Sequence, residues 1–298
     1  MFKENNNINI QLSLVHKGKV RDIYDLNDNY LIVASDRISA FDCIIPTLIE
    51  NKGKILHKLS MFWFNMTKSI VKNHVITGDF NHFPKSLQNI LYLRDRSMIV
   101  KKAKRINIEC IVRGYITGSA WTEYSKTGKI CNIKLENNLK EFSKLQTPIF
   151  TPSSKEEHGK HDQNISFTDM INILGTQTAE KIRKISLTLY NKISKYTFSK
   201  GLILADTKLE FGLYNDELIL IDEIFTPDSS RFWEVEKYNK EGIPNDSLDK
   251  QYVRDYLNSI QWNRKPPIPT LPDNIVKKTI MKYMDVYEKL TGKKFNYV

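Results

Sequence analysis

The sequence predicts an α+β protein in which a strand-rich first hundred residues precede a part that mixes helices with a charged β-hairpin. Three observations predict it. Short apolar runs broken by turn residues dominate as far as Val100. Apolar residues recur at helical spacing over residues 55–70, 179–196 and 276–290. At residues 201–224 two apolar runs flank Asn215-Asp216, the usual punctuation of a hairpin.

Taken in order, Leu12 to Val15 and Lys17 to Leu26 read as strands, the second alternating around Val20, Ile23 and Tyr24. Asn27-Asp28-Asn29 is a turn, and Tyr30 to Ala34 is a buried-strand run. Leu59, Phe62, Trp63, Met66 and Ile70 share one helical face, and this aromatic stripe reads as core. A strand at Met98–Val100 leads into Lys101-Lys102-Ala103-Lys104-Arg105, a polar, basic break. Length suggests about two domains; the break divides residues 1–103, a β-rich lobe, from residues 104–298, an α+β lobe. Residues 106–115 open that second part, and residues 146–164, containing Pro, Ser and Thr, read as a long loop. One helix puts Ile182, Ile185, Leu189 and Ile193 on a face and stops at Gly201. The last turns Ile280, Tyr283, Val286, Tyr287 and Leu290 inward and ends at Gly292.

Composition excludes several classes. Hydrophobic residues at 41% and charged residues at 27% are those of an ordinary globular protein. No apolar run approaches the ~20 residues of a membrane span, and the polar start Met1-Phe2-Lys3-Glu4 lacks a secretion signal's apolar core. Cys43, Cys110 and Cys131 are odd in number and form no Cys-x-x-Cys pair, so a reducing cytoplasm is expected, without disulfide framework or zinc site. The net charge of +11 is spread along a chain rich in Lys, Asn and Ile. It is expected to attract phosphorylated small molecules, with no nucleic acid or membrane partner.

The chemistry concentrates in the hairpin. Side chains on a strand alternate, so Asp206, Lys208 and Glu210 share a face, and Asp222 returns towards Glu210 on the second strand. Three acids around one lysine, bracketed by apolar segments, repel one another when buried unless a cation sits between them. Magnesium carried on ATP phosphates is such a cation and uses one or two protein carboxylates. A solvated salt-bridge ladder around Lys208 is the alternative from spacing alone. Immediately afterwards, Phe225-Thr226-Pro227-Asp228-Ser229-Ser230-Arg231-Phe232-Trp233 offers hydroxyls and a guanidinium fork for a phosphate or carboxylate. His158 and His161 have a ligand-like spacing but sit on a polar, lysine-rich loop; His16, His57, His74 and His82 form no constellation.

Leu204-Ala205-Asp206-Thr207-Lys208-Leu209-Glu210-Phe211-Gly212 closely resembles one signature of the SAICAR synthetase family. The second signature is matched by Ile108-Glu109-Cys110-Ile111-Val112-Arg113-Gly114-Tyr115-Ile116-Thr117-Gly118-Ser119, with Asn107 standing where the family usually has Pro. Further matches follow in the family's order: residues 18–24, residues 35–42 (Ser35-Asp36-Arg37-Ile38-Ser39-Ala40-Phe41-Asp42), Thr151-Pro152-Ser153, His161-Asp162 and residues 228–233.

The resemblance implies a two-lobed, kinase-like α+β fold, with an antiparallel-sheet N-terminal lobe and ATP in the cleft between lobes. It implies an ATP-dependent ligase that couples L-aspartate to a carboxyaminoimidazole ribonucleotide, with magnesium on the ATP. Lys17, Gly18, Lys19, Val20 and Arg21 would cover the phosphates, and Lys101 would lie at the adenine hinge. Glu210 and Asp222 would hold the metal, while Asp206 and Lys208 organise charge for transfer. Arg113, Ser119, Ser230 and Arg231 would bind the ribonucleotide; Asp36 and Arg37 are expected at the aspartate unless they form a turn-capping salt bridge. A small-molecule kinase of related fold and a non-catalytic polyanion binder are the rival readings.

Overall fold

The structure, a computed structural model, describes residues 12–155, 163–244, 247–248 and 250–296. His158, His161 and Asp162, and the polar start of the chain, lie outside the described residues.

The first sheet is antiparallel, built from β1 (Leu14–Lys17), β2 (Arg21–Leu26), β3 (Asn29–Ala34), β6 (Val75–Thr77) and β7 (Ser97–Lys101) in the order β1-β2-β3-β7-β6. The expected single strand from Lys17 to Leu26 is instead a hairpin, because Gly18 N–H donates to Arg21 O at 2.8 Å and folds the chain back. A Cβ at Gly18 would stand 2.7 Å from that carbonyl, so this tight turn excludes a side chain. Between β3 and β6 come a ribbon of β4 (Ile38–Ala40) and β5 (Cys43–Ile45), then helix α1 (Lys52–Thr67). The helix ends three residues before Ile70, and its buried face is Ile55, Leu56, Leu59, Trp63 and Phe64; Phe62, Met66 and Ile70 pack at the rim. A short α2 (Lys85–Gln88) precedes β7.

The chain changes sheets inside the basic stretch, since β7 ends at Lys101 and β8 (Lys104–Arg105) pairs in the second sheet. That sheet continues with β9 (Ile108–Tyr115), followed by α3 (Ser119–Thr127) and a small ribbon of β10 (Lys129–Ile130) and β11 (Ile133–Lys134). Next is β12 (Lys144–Ser154), which corrects the loop expected over residues 146–164 as far as Ser154; residues 156–162 of it lie outside the described residues. Its prolines, Pro148 and Pro152, are tolerated because β12 lies at the sheet's edge beside β9: Pro148 falls in an irregularity of the pairing, and on the other side, where Ser153 bridges Asn164, Pro152 supplies only its carbonyl, to Ile165 N. Helices α4 (Phe167–Leu174) and α5 (Thr176–Ser199) lead into β13 (Leu202–Tyr214), β14 (Glu217–Ile221) and β15 (Ser230–Glu234). Three helices complete the chain: α6 (Val235–Glu241), α7 (Gln251–Ser259) and α8 (Asp273–Thr291).

The hairpin forms where expected. Asn215 and Asp216 both adopt positive φ, 51° and 60°, the conformation of a tight two-residue turn matched to strand twist. One apolar cluster joins the halves, taking Ile32 and Val100 from the first sheet, Leu59 and Trp63 from α1, Val112 and Leu204 from the second sheet, and Leu189 from α5. Each fully buried large apolar side chain there contributes about 1.5–3 kcal/mol relative to exposure. The two sheets are therefore held as one body, with a cavity left where they meet. Among the described residues, no helix is long and apolar enough to cross a membrane.

Candidate functional site

Strand β13 changes partners along its length, and the site lies at the change. Its first half pairs with β15, ending at Thr207↔Ser230, and with β9 over Asp206↔Arg113 to Leu209↔Cys110. Its second half pairs with β14, beginning at Glu210↔Ile221. The chain between β14 and β15, residues 222–229, crosses this gap and brings Asp222, Glu223 and Asp228 to it.

The register sets Asp206 between two guanidiniums. Arg113 Nη1 reaches Asp206 Oδ2 at 3.3 Å, and Arg231 pairs with the same oxygen. Arg113 also donates to Thr151 Oγ1 at 2.9 Å and Ser119 Oγ at 3.1 Å, so its fork is held on three sides while only 2% of the residue is exposed. Burial pulls its pKa below the ordinary value, and Asp206 opposes that pull. Ser230 shares a hydroxyl hydrogen bond with Thr207 at 2.8 Å. Gly118 has φ of 58°, and a Cβ there would meet Arg231 Nη2 at 2.6 Å, so the turn before α3 must be glycine for Arg231 to lie against it. A depression of about 100 Å³ opens here, lined by Asp206, Ser229, Ser230, Arg231, Lys250 and Arg254 among others.

Next to it lies a cavity of about 530 Å³, which shares Asp228, Lys250 and Arg254 with the depression. One wall is the β1–β2 turn with Gly18, Lys19, Val20 and Arg21; Lys101 lies on the wall, its ammonium 5.2 Å from the centre of the Tyr214 ring. Glu109, Lys208, Glu210 and Asp222 also line the cavity. Lys208 donates to Glu109 at 2.7 Å and to Glu210 at 3.0 Å, and Lys155 reaches both Glu210 oxygens at 2.8 Å. Burial would raise the Glu210 carboxyl, yet Lys208 and Lys155 outweigh it and hold the group below the carboxylate range. Burial would likewise depress Lys208, and Glu210 and Glu109 keep it above its ordinary value.

Asp222 behaves oppositely. Arg21 contacts it at 2.7 Å and also contacts Glu223 at 2.5 Å. Burial, with Glu210 and Glu223 nearby, nevertheless pushes the Asp222 carboxyl up against the pull of Arg21 and Lys208. An acid left short of positive charge beside a second acid suits a further cation. The donors are hard carboxylate oxygens, which fits magnesium. Among the described residues, no group of three or more His, Cys, Asp or Glu could hold a metal by itself.

Most of the expected residues converge. Gly18, Lys19, Val20, Arg21, Lys101, Lys208, Glu210 and Asp222 line the cavity, and Asp206, Ser230 and Arg231 line the depression, with Arg113 and Ser119 bonded behind them. Lys17 is exposed at the end of β1 and lines neither. Asp36 and Arg37 are not brought in. Asp36 accepts from Gly53 N at 2.9 Å at the start of α1 and pairs with Arg96 at 3.1 Å. Arg37 pairs with Asp22 at 2.7 Å and donates to the carbonyls of Gly18 and Lys19, so its fork braces the β1–β2 turn.

Asn107 accepts from Arg105 Nε at 3.1 Å and lies just before β9, leaving the strand regular where a Pro was expected. Residues absent from the expected set are Lys155, Glu223, Lys250 and Arg254, together with Glu109 and Asp228, which sit inside matched motifs. His74 also lines the cavity, buried and pulled by desolvation to about 3, hence neutral. A wider groove of about 860 Å³ between α1 and the end of α8 contains none of these residues.

Residues 14–269 match the family model described as SAICAR synthetase. The phosphoribosylaminoimidazole-succinocarboxamide synthase of Thermodesulfovibrio yellowstonii is 54% identical over 282 residues, covering 94% of this chain and 96% of that protein. A solved SAICAR synthase from Saccharomyces cerevisiae, complexed with SAICAR, superposes with a TM-score of 0.87 at 42% identity, covering 100% of this chain and 99% of that one. A SAICAR synthetase solved in complex with ADP shares the fold, with a TM-score of 0.69 at 24% identity over 95% of this chain and 99% of that one. With its signature residues gathered around one cavity and its similarity running nearly end to end, the chain belongs to the SAICAR synthetase family.

Proposed function

We propose that the cavity and its adjoining depression carry the ATP-dependent joining of L-aspartate to the carboxylate of carboxyaminoimidazole ribonucleotide, giving SAICAR, ADP and phosphate in purine biosynthesis, by way of an acyl phosphate. The observation that carries this reading is that a tight glycine turn and the carboxylates of Glu210 and Asp222 line one cavity, beside the Arg113–Asp206–Arg231 clamp.

A carboxylate is a poor acyl donor, because its charge repels nucleophiles and oxide does not leave. Phosphorylation converts that oxygen into a phosphate leaving group, which the aspartate amine then displaces. The chain's work is to position reactants and offset charge. The backbone of Gly18 lets the turn approach ATP phosphates, and Lys19 and Lys208 add positive charge. Glu210 and Asp222 would hold magnesium, which when bound neutralises phosphate oxygens. Arg231 and Ser230, set in place through Asp206 and Thr207, would hold the ribonucleotide phosphate, with Arg113 and Ser119 behind them. Lys250 and Arg254, at the junction of the two spaces, add cations where anionic substrates meet. The three free thiols suit a reducing cytoplasm.

Release of ADP with the ribonucleotide present, measured with and without L-aspartate, tests this. Aspartate-dependent ADP release is expected. Phosphate transfer to a hydroxyl acceptor without aspartate would instead identify a small-molecule kinase.

A further inference from the structure

Glu210 already has three of its lone-pair sites taken. A carboxylate offers about four lone-pair sites; Lys155 takes one on each oxygen at 2.8 Å, and Lys208 takes a third on Oε1 at 3.0 Å. The one site left is on Oε2, which the Lys155 ammonium also contacts at 2.8 Å, so a cation that chelates both oxygens requires an ammonium to withdraw, and one that takes the open site meets the Lys155 charge. The two lysines differ in their freedom to do so. Lys208 stands in mid-strand on β13 and is anchored a second time on Glu109 at 2.7 Å. Lys155 stands one residue beyond the end of β12 and lines the cavity; its side chain is about as exposed as that of Lys208, 25% against 30%, so the second anchor of Lys208 on Glu109 is what separates them.

We propose that Lys155 is a place-holding cation, which neutralises Glu210 before a divalent cation binds and yields that carboxylate when the cation arrives. The physical need is clear. Glu109, Glu210, Asp222 and Glu223 face one cavity, and like charges this close in a poorly solvated space repel strongly. Lys155 offsets that repulsion in the unliganded protein. Once displaced, its ammonium stays beside the cavity, where incoming phosphate oxygens need countercharge.

This proposal rests on the reading of Glu210 as a metal ligand, and one titration separates the two. Binding of Mn²⁺ alone, without nucleotide, is followed by electron paramagnetic resonance of the free ion for the full-length wild type, Lys155→Met, Lys155→Arg and Glu210→Gln. Lys155→Met is expected to bind Mn²⁺ about tenfold more tightly than wild type, and Lys155→Arg no more tightly. The gain should persist in ~0.5 M KCl, where a through-space charge effect is screened beyond a few ångströms but competition for the same oxygens is not. Unchanged or weaker binding by Lys155→Met, or a gain that vanishes in salt, overturns the place-holder alone. If Glu210→Gln binds Mn²⁺ as wild type does, the metal reading fails and takes this proposal with it.

Discussion

Replacing Lys52 by Met tests how the first helix is tied to the site. The Lys52 ammonium lies 2.7 Å from Asp228 Oδ2, and the two side chains are 0% and 1% exposed. Removing one partner of a buried pair typically costs 3–5 kcal/mol, because the other charge is left uncompensated. Here Asp228 keeps the Tyr283 hydroxyl at 2.7 Å and Lys250 at 3.8 Å, so the lower end, about 3 kcal/mol, is expected. For a chain of this size that is a fall of roughly 6–12 °C in Tm, read by calorimetry. The pH dependence has a definite sign. Burial alone would raise the Asp228 carboxyl, but Lys250 and Lys52 hold it below its ordinary value of 3.8. A depressed acid stabilises the fold above that ordinary value and loses the contribution as pH falls towards the folded one. Lys52→Met weakens the depression, so the gap to wild type should be full near neutrality and narrow in acid. Adding Asp228→Asn to Lys52→Met should recover part of the loss, since the carboxylate left uncompensated is then removed, and only part because Lys250 loses its acid. A fall in Tm below about 2 °C, or a gap that widens in acid, would refute the reasoning.

Asp222→Asn should lower kcat at saturating magnesium by about a hundredfold or more with Tm within a few degrees of wild type; ordinary turnover would remove it from the metal site. Arg231→Gln should raise the ribonucleotide KM at least tenfold while leaving the ATP KM within about twofold, as steady-state kinetics would show. Arg37→Gln frees the β1–β2 turn, so the ATP KM should rise and the aspartate KM stay put; the reverse would restore Arg37 to the aspartate site. Gly114→Ala would place a Cβ 2.1 Å from Tyr190 Oη, whose hydroxyl donates to Leu204 O at 2.6 Å, and should destabilise the protein by about 1–3 kcal/mol in thermal unfolding.

Local pattern determined much of this protein. Helical spacing placed α1, α5 and α8 to within a few residues, and Asn215-Asp216 between apolar runs placed the hairpin, because both signals are short-range and set by backbone geometry. The same alternation put Lys208 beside Glu210. Tertiary structure alone decided the rest. The Pro-containing stretch from residue 146 became β12 only because an edge position beside β9 tolerates prolines. Arg37 has a fork suited to a substrate carboxylate, yet Asp22 and two turn carbonyls occupy it. Glu109 meets Lys208 across 99 positions of sequence, and Lys155 meets Glu210 across 55. Charge pairing is fixed by distances between strands distant in the chain, and residue spacing carries no record of those distances until the sheets assemble.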